Sequence, residues 1–517
     1  MTKLGVRTMA PSATRSRSVR TAHPRPTVRA IASSGTRCWR GLLVLLSAVL
    51  LVLLAGCDSG GEGGQGSAEG GAGPRTARAE VGAVPAAPQR PGDPARGYDA
   101  LLNRAVETCG LPYSAYAKAA PDPGPQFPGR TGRNARLPYP LTAHQTASGV
   151  ELVTTNCLAC HAAPFDGRLV MGLGNAFLDL TRDPLSAVAA TEAQVSGAAG
   201  RAEWQRWAER ITVVSDYMIT DTIGVNSADN VTLALMAHRD PQTLAWSARP
   251  LLEPPPQRPL PVAVPPWWNL RKKHVLFYSA QGRGDQARHL LLAAATCTDS
   301  LAEVRAMDAW FVDLRAYLAT LEPPKYPYAI DRALAEQGYP LYQANCRRCH
   351  GTYGEDWRYP NLVVALGEVG TDPELARAGY ADQDRFRAWF RQSFYGELAQ
   401  LTPALGYLAP PLDGVWATAP YLHNDAVPTL AALLEPPARP AYWRLRRGAD
   451  GRPVYDREAL GWAYQTLAAG QSAAMSIDER SRIYDSTGAG YGNGGHTFGE
   501  RLSAAQRRAL IEYLKTL

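Results

Sequence analysis

Cysteine and histidine are scarce in this chain, and its first 57 residues contain no acidic residue. Eight Cys and nine His occur among 517 residues. The sequence has no G-x-x-x-x-G-K phosphate loop, no H-E-x-x-H zinc motif and no nucleophile elbow. It therefore carries no signature of a P-loop nucleotide-binding protein, a zinc protease or an α/β-hydrolase.

The positive formal charge of +7 comes from the N-terminal segment. Residues 1–57 hold eight Arg and one Lys, which leaves 45 basic against 47 acidic residues, about −2, for the remainder. A remainder close to neutrality gives no argument for a basic binding surface, and we expect no nucleic-acid partner.

The same N-terminal segment predicts export. An Arg-rich stretch ends at Arg40, and "GLLVLLSAVLLVLLAG" follows as an apolar core of signal-peptide length. The core ends in "LAGC", which resembles a bacterial lipobox with Cys57 as the lipidated residue. We predict a signal peptide over 1–57 and an exported, membrane-anchored lipoprotein facing the periplasm or the cell exterior. The alternative is an uncleaved membrane anchor of similar length.

The rest of the chain divides by composition and by a repeated helix end. Residues 58–97 are rich in Gly, Ala and Pro, which predicts a flexible tether. A Tyr-Leu-x-Thr-Leu sequence begins at Tyr317 and again at Tyr513, each time on a helix-periodic stretch. Because 517 residues exceed one ordinary core, we predict an N-terminal domain over 98–325 and a C-terminal domain over 326–517.

Two short motifs carry the chemistry, and both read C-x-x-C-H. The first, "NCLACH", holds Cys157, Cys160 and His161; the second, "NCRRCH", holds Cys346, Cys349 and His350. Residues at i, i+3 and i+4 share one helix face, so two thiols can bond the vinyl groups of a haem while the histidine reaches its iron. We predict two covalently bound haem c groups. A zinc site built from the four cysteines is the alternative, but it does not explain why a histidine follows each pair.

Cys109 and Cys297 remain after the motif and signal cysteines are assigned. In an oxidising compartment they form either a disulfide or two separate buried thiols.

The second axial ligand of each haem decides between electron transfer and reaction with a small molecule. After His350 only three residues can supply it, and His496, in the Gly-rich "YGNGGHTFG", is our candidate; the alternatives are His423 and Met475. The candidates for the first haem are Met171, Met218, Met236, His238, His274, His289 and Met307. An open position is also consistent with the sequence.

The stretch "PPWWNLRKKHVLFY" contains two adjacent tryptophans and three adjacent cations. Trp267 and Trp268 either relay electrons between the haems or pack at a domain interface. Arg271, Lys272 and Lys273 either pair with haem propionates or form a solvated face.

Several segments resemble bacterial di-haem cytochrome c peroxidases and, more closely, rubber-oxygenase-like c-type cytochromes. They are "APPLDGVWATAPYLHNDAVPTLAALL" (409–434), the tryptophan stretch above, residues 321–354 with the second motif, and "GHTFG" before the last helix. The resemblance covers most of the chain from about residue 98.

The resemblance implies a mainly α fold of two cytochrome c-like haem domains with long loop excursions and few short strands. It implies that His350 and His496 bind the C-terminal haem, that the haem on His161 has an open or weakly occupied position, and that Trp268 lies between the haems. The function we expect is redox chemistry in which O2 or H2O2 reacts at the N-terminal haem and electrons pass through the C-terminal haem to a redox partner. No catalytic residue is identified. The alternatives are a pure electron-transfer cytochrome with two six-coordinate haems, and a structural haem lipoprotein without turnover.

Overall fold

The computed structural model describes residues 81–119, 122–381 and 383–517. The predicted signal peptide over 1–57, its lipidation site Cys57 and the tether as far as residue 80 lie outside the described residues. Within the described ranges, no helix is long and apolar enough to cross a membrane.

Helices form most of the regular structure. They are α1 (Pro94–Asn103), α2 (Tyr113–Tyr116), α3 (Leu158–His161), α4 (Pro184–Glu192), α5 (Ala198–Val214), α6 (Ala228–Ala237), α7 (Gln286–Leu290), α8 (Leu301–Leu318), α9 (Arg332–Asn345), α10 (Arg347–His350), α11 (Leu366–Val369), α12 (Glu374–Ala381), α13 (Gln383–Gln392), α14 (Leu430–Leu434), α15 (Ile477–Arg480) and α16 (Ala504–Leu514).

Strands are short and pair into six small sheets. They are β1 (Gly82–Ala83), β2 (Leu111–Pro112), β3 (Leu141–Gln145), β4 (Glu151–Thr155), β5 (Ala162–Phe165), β6 (Arg168–Met171), β7 (Gly282–Gly284), β8 (Leu362–Ala365), β9 (Ala399–Leu401), β10 (Gly406–Leu408), β11 (Tyr442–Leu445), β12 (Tyr455–Asp456), β13 (Gly461–Trp462), β14 (Tyr464–Thr466) and β15 (Tyr484–Asp485). The sheet orders are β1-β8-β10, β2-β4-β3, β5-β6, β7-β9, β12-β13 and β14-β11-β15.

The prediction of a mainly α fold was wrong. Helix accounts for 38% of the structure and strand for 14%, spread over many short sheets. The long segments that connect the helices are partly buried, and their backbone N–H and C=O groups need hydrogen-bond partners there. They find them by pairing in strands of two to five residues, and such strands are too short to show a clear alternation in the sequence.

Each half of the chain contains one pair of helices that cross closely at a glycine. In the C-terminal half, α9 crosses α16 at Gly338, where an added Cβ would stand 2.0 Å from the Ala509 carbonyl oxygen and 2.9 Å from the Tyr513 Cβ. In the N-terminal half, α1 crosses α8 at Gly97, where the corresponding distances to the Asp313 oxygen and the Tyr317 Cβ are 2.0 and 2.8 Å. The repeated Tyr-Leu sequence therefore marks the helix that closes each half.

The two halves differ in how the chain enters the C-x-x-C-H motif. Gly149 and Gly338 both stand eight residues before the first cysteine of their motifs. α9 leads directly into Cys346, and it continues through Pro340. Gly149 instead has φ +81° and lies in the turn between β3 and β4, so a hairpin leads into Cys157 and Gly97 takes the place of Gly338.

The two halves are joined through shared sheets and a shared core. β7 of the N-terminal half pairs with β9 of the C-terminal half, and β1, which precedes the predicted N-terminal domain, pairs with β8. Trp389 of α13 packs in the core that also contains Leu101 and Phe311, and its indole donates to the Arg239 carbonyl at 2.6 Å. Side chains and strands from both halves thus pack together in one core.

The end of the predicted tether is ordered. β1 and the first turn of α1 both lie before residue 98. Arg90 donates to the carboxylates of Asp285 at 3.0 Å and Asp308 at 2.6 Å. The bonds from Arg90 hold this end of the tether in place, although its composition alone predicts flexibility.

Cys109 and Cys297 are joined by a disulfide, with their Cα atoms 5.3 Å apart. Both residues are fully buried in a core cluster with Leu111 and Trp204. The bond links the start of the N-terminal half to the segment before α8.

Candidate functional site

The two C-x-x-C-H motifs adopt the same local structure. Each forms a one-turn helix, α3 or α10, with its first cysteine at the N-cap position. The amide of His161 donates to the Cys157 carbonyl at 3.0 Å, and the amide of His350 donates to the Cys346 carbonyl at 3.0 Å. The turn therefore places the two thiols and the imidazole of each motif together, as covalent attachment of one haem requires.

The four motif cysteines are free and partly buried. Burial raises the pKa of Cys157 to about 12, of Cys160 to about 11 and of Cys346 to about 12. The thiols of Cys157, Cys160 and Cys346 are therefore neutral at physiological pH. The described ranges contain no group of three or more His, Cys, Asp or Glu that could hold a metal ion, which speaks against the zinc alternative.

A cavity of about 330 Å³ lies against the second motif. Cys346, Cys349 and His350 form one part of its wall, and His496 forms another. Aliphatic residues and prolines make up most of the rest. A cavity of this size and apolar character is typical of small-molecule and cofactor sites.

His350 and His496 face each other across this cavity, with ring centroids 6.2 Å apart. Two imidazoles on opposite sides of one metal ion place their ring centres about 6.2 Å apart, because the metal–nitrogen bond is about 2.0 Å and the nitrogen lies about 1.1 Å from the ring centre. The observed separation matches that arrangement. Burial lowers the pKa of His350 and brings that of His496 to about 3, so both rings are neutral and keep a lone pair for a metal.

Backbone carbonyl and hydroxyl contacts orient His350. Its Nδ1 lies 2.7 Å from the Pro410 carbonyl, which leaves Nε2 for the cavity. A hydrogen bond of this kind fixes the tautomer of a metal-binding histidine. The Tyr353 hydroxyl donates to the His350 carbonyl at 3.0 Å and so holds the backbone.

The loop that carries His496 is held mainly by Arg439. The Arg439 guanidinium donates to the carbonyls of Asn493 and Gly495 at 2.7 Å and of His496 at 3.1 Å. The His496 amide donates to the Val369 carbonyl at 2.7 Å. Gly495 has φ +70°, and an added Cβ would stand 2.1 Å from the Gly370 carbonyl carbon, so only glycine permits this approach.

The two alternative ligands are placed differently from His496. His423 lines the same cavity, but its ring stacks on Tyr407 with centroids 4.0 Å apart. Burial lowers the pKa of His423 to about 3, and its Nε2 is buried without a hydrogen bond. Met475 does not belong to the cavity wall. The structure thus brings His496, rather than Met475, to His350.

The first motif is placed differently. The His161 ring stacks on Trp267 with centroids 4.5 Å apart and an interplanar angle of 17°. Burial lowers the pKa of His161 to about 4, and the nearby Pro265 carbonyl partly offsets this shift. The Nδ1 atom of His161 is buried and has no hydrogen-bond partner among the described residues. A neutral imidazole beside two free thiols fits a covalently attached haem.

The candidate second ligands of the first motif all have ordinary structural partners. Met218, Met236 and Met307 lie in hydrophobic clusters. The ring nitrogens of His238, His274 and His289 contact the carbonyls of Ser247, Val84 and Arg283. Met171 pairs with Ala162, next to His161, and its sulfur accepts from the Tyr317 hydroxyl at 3.0 Å. No histidine among the described residues has its ring paired with His161 as His496 is paired with His350.

The adjacent tryptophans connect the two halves. Trp267 belongs to the core around α1 and α8, whereas Trp268 belongs to the core around α9 and α16. The Trp268 indole donates to the Asp413 carbonyl at 2.7 Å. One tryptophan therefore contacts the first motif while its neighbour contacts the wall of the second.

Pro410, Tyr353 and Arg439 were not among the residues predicted for the site. Pro410 and Tyr353 lie in the segments that carry the family resemblance, and this was the available signal. Arg439 acts through backbone carbonyls more than 50 residues away in sequence, and nothing in the local pattern indicates that.

Comparison with known proteins gives a family match and two curated relatives. Residues 406–444 match a family described as RoxA-like, cytochrome c-like. The chain is 31% identical over 238 residues to the uncharacterized protein y4iM of Sinorhizobium fredii (strain NBRC 101917 / NGR234), an alignment that covers 39% of this chain and 52% of that protein. It is 28% identical over 263 residues to the uncharacterized protein y4iJ of the same strain, covering 38% and 41%. The chain thus spans about half the length of these curated relatives or less.

The family match supports a cytochrome c-like protein and implies covalently bound haem c. The matched residues include Tyr407, Pro410 and His423, which line the cavity beside His350.

Proposed function

We propose that this chain is a di-haem c-type cytochrome in which O2 or H2O2 reacts at the N-terminal haem and electrons pass through the C-terminal haem. The haem on each motif, when bound, supplies a one-electron redox couple and, where an axial position is free, reactivity toward oxygen or peroxide. The observation that carries the proposal is the difference between the motifs: His350 faces a second histidine, and His161 faces a tryptophan.

Residues of the chain give the two sites different roles. Pro410, Tyr353 and Arg439 hold His350 and His496 in fixed positions, so this pair changes little in geometry during electron transfer. At the other motif, the stacked Trp267 holds the His161 ring from one face. Trp267 and Trp268 follow each other in sequence and reach both sites, which supports their proposed role as a relay.

We also propose an extracytoplasmic location with a lipid anchor at Cys57. The disulfide between Cys109 and Cys297 supports this, because such bonds persist in oxidising compartments. The two C-x-x-C-H motifs support this location as well, because they are haem attachment sites of extracytoplasmic proteins. The partner would be a redox protein or a small-molecule oxidant.

The test is the electron paramagnetic resonance spectrum of the purified oxidised protein, with absorption spectra before and after addition of hydrogen peroxide. We expect one low-spin and one high-spin haem, with a peroxide-dependent change in the high-spin component only. Two low-spin haems indifferent to peroxide would establish the electron-transfer alternative and refute the oxidant reaction.

A further inference from the structure

Residues of the N-terminal half form part of the cavity wall beside His350. The Asn269 side chain donates to the Pro411 carbonyl at 3.2 Å, next to the carbonyl that binds His350. The Asn361 side chain donates to the Lys272 carbonyl at 3.0 Å. These bonds hold the segment that carries the three cations at 271–273 against the C-terminal half.

The three cations have different surroundings. Arg271 is exposed and binds Glu322 at 2.9 Å. Lys272 is buried, and its ammonium lies 2.7 and 2.8 Å from the two carboxylate oxygens of Asp413. Only Lys273 remains available to a ligand, because the other two already have carboxylate partners.

Lys273 lines the cavity, and its ammonium has no hydrogen bond or ion pair with any residue in the described parts of the chain. Burial lowers the pKa of Lys273 to about 8, and no nearby anion opposes the shift. An ammonium held in a mostly apolar cavity without an anion is unfavourable.

The two carboxyl groups on the cavity wall cannot neutralise this charge. Asp413 is bound to Lys272. Burial raises the pKa of Asp425 well above its usual value, which favours the neutral, protonated form of this side chain. The missing negative charge must therefore come from the molecule that occupies the cavity.

We propose that Lys273 binds a carboxylate of the tetrapyrrole attached at Cys346 and Cys349, and so contributes a counter-ion from the N-terminal half to the C-terminal haem. The inference rests on the proposed function, since it requires haem at this motif. The step is ionic: the ammonium donates a hydrogen bond to the carboxylate, and no covalent bond changes.

A positive charge close to the haem favours its reduced state, which carries one positive charge fewer at the iron. With charges about 10 Å apart and an effective dielectric constant of about 20, removal of the charge shifts the ratio of reduced to oxidised haem by roughly tenfold. A tenfold shift corresponds to about 59 mV for a one-electron couple.

The experiment is a spectroelectrochemical titration of the haem-loaded protein and its Lys273→Met variant. The midpoint potential of the low-spin haem should fall by about 59 mV, with its low-spin spectrum unchanged. Lys273→Arg should restore the potential. Arg271→Met, which removes the same charge from an exposed position two residues away, should leave it unchanged.

Three outcomes would overturn the inference. An equal potential in Lys273→Met and the parent protein would show that Lys273 has no ionic contact with the haem. A potential that responds to added formate in the parent but not in Lys273→Met would show a site for a free carboxylate instead. Absence of haem at Cys346 and Cys349, seen by mass spectrometry of the peptide, would refute the proposed function together with the inference.

Discussion

A methyl group at Gly338 should force α9 and α16 apart. The added Cβ would lie 2.0 Å from the Ala509 oxygen and 2.6 Å from its carbonyl carbon. Both are backbone atoms, so no side-chain rotation can relieve the contact. Since non-bonded carbon atoms pack at roughly 3.5 Å or more, one helix must move by about 1 Å or more.

The change in the free energy of unfolding is the sum of two opposing effects. Overpacking a close contact costs about 1–3 kcal/mol, and the rigid backbone neighbours favour the upper end. Replacement of glycine by alanine within a helix returns about 1 kcal/mol. We therefore expect Gly338→Ala to lower the free energy of unfolding by about 2 kcal/mol, which is about 4–8 °C in Tm for a unit of 150–250 residues.

Thermal unfolding followed by circular dichroism measures this difference. The control is Gly200→Ala in α5, where the nearest atoms to an added Cβ, on Pro112 and Val195, stand 3.9 Å away. We expect this variant to be equal to the parent protein or about 1 kcal/mol more stable. Equal melting temperatures for Gly338→Ala and Gly200→Ala would refute the close crossing.

The remaining predictions concern the site, pH and the disulfide. His496→Ala should convert the low-spin signal of one haem to high spin while His423→Ala leaves it unchanged; a low-spin signal that persists in His496→Ala would exclude His496 as the ligand. Burial raises the pKa of Glu107 from 4.5 to about 7, so the folded state binds more protons than the unfolded state in this window and the free energy of unfolding falls as pH rises from 4.5 to 7. Glu107→Gln should flatten that slope in denaturant titrations, and an unchanged slope would assign it to other groups. Replacement of Cys109 and Cys297 by alanine opens a loop of 188 residues and should lower the free energy of unfolding by about 3–5 kcal/mol; an unchanged Tm would contradict this.

Much of the site is encoded locally and can be predicted from the sequence. A C-x-x-C-H motif is five consecutive residues, and helix geometry alone brings its side chains together. The closing helices are also visible, because Ser300 and Ser503 cap apolar periodic stretches. His496 stands out because few residues after His350 can bind iron.

The rest depends on contacts between residues distant in sequence. Gly97 lies 60 residues before Cys157, so no local spacing in the sequence connects this glycine with the motif. The availability of Lys273 follows from Asp413 binding Lys272, 141 residues further along the chain. The short strands form because distant segments meet, and two or three residues carry no periodicity from which to predict them.

Because Gly82 pairs with Val363, β1 can complete its sheet only after the chain has been made as far as β8. A chain made from its N-terminus exposes β1 about 280 residues before its partner exists. At roughly 5–20 residues per second, this interval is on the order of 10 s to a minute. The core of the N-terminal half also includes Trp389, which is made later in synthesis. The N-terminal half therefore cannot complete its folding before the C-terminal half has been made. A protein truncated after α8 would expose apolar residues of an incomplete core to proteases and chaperones.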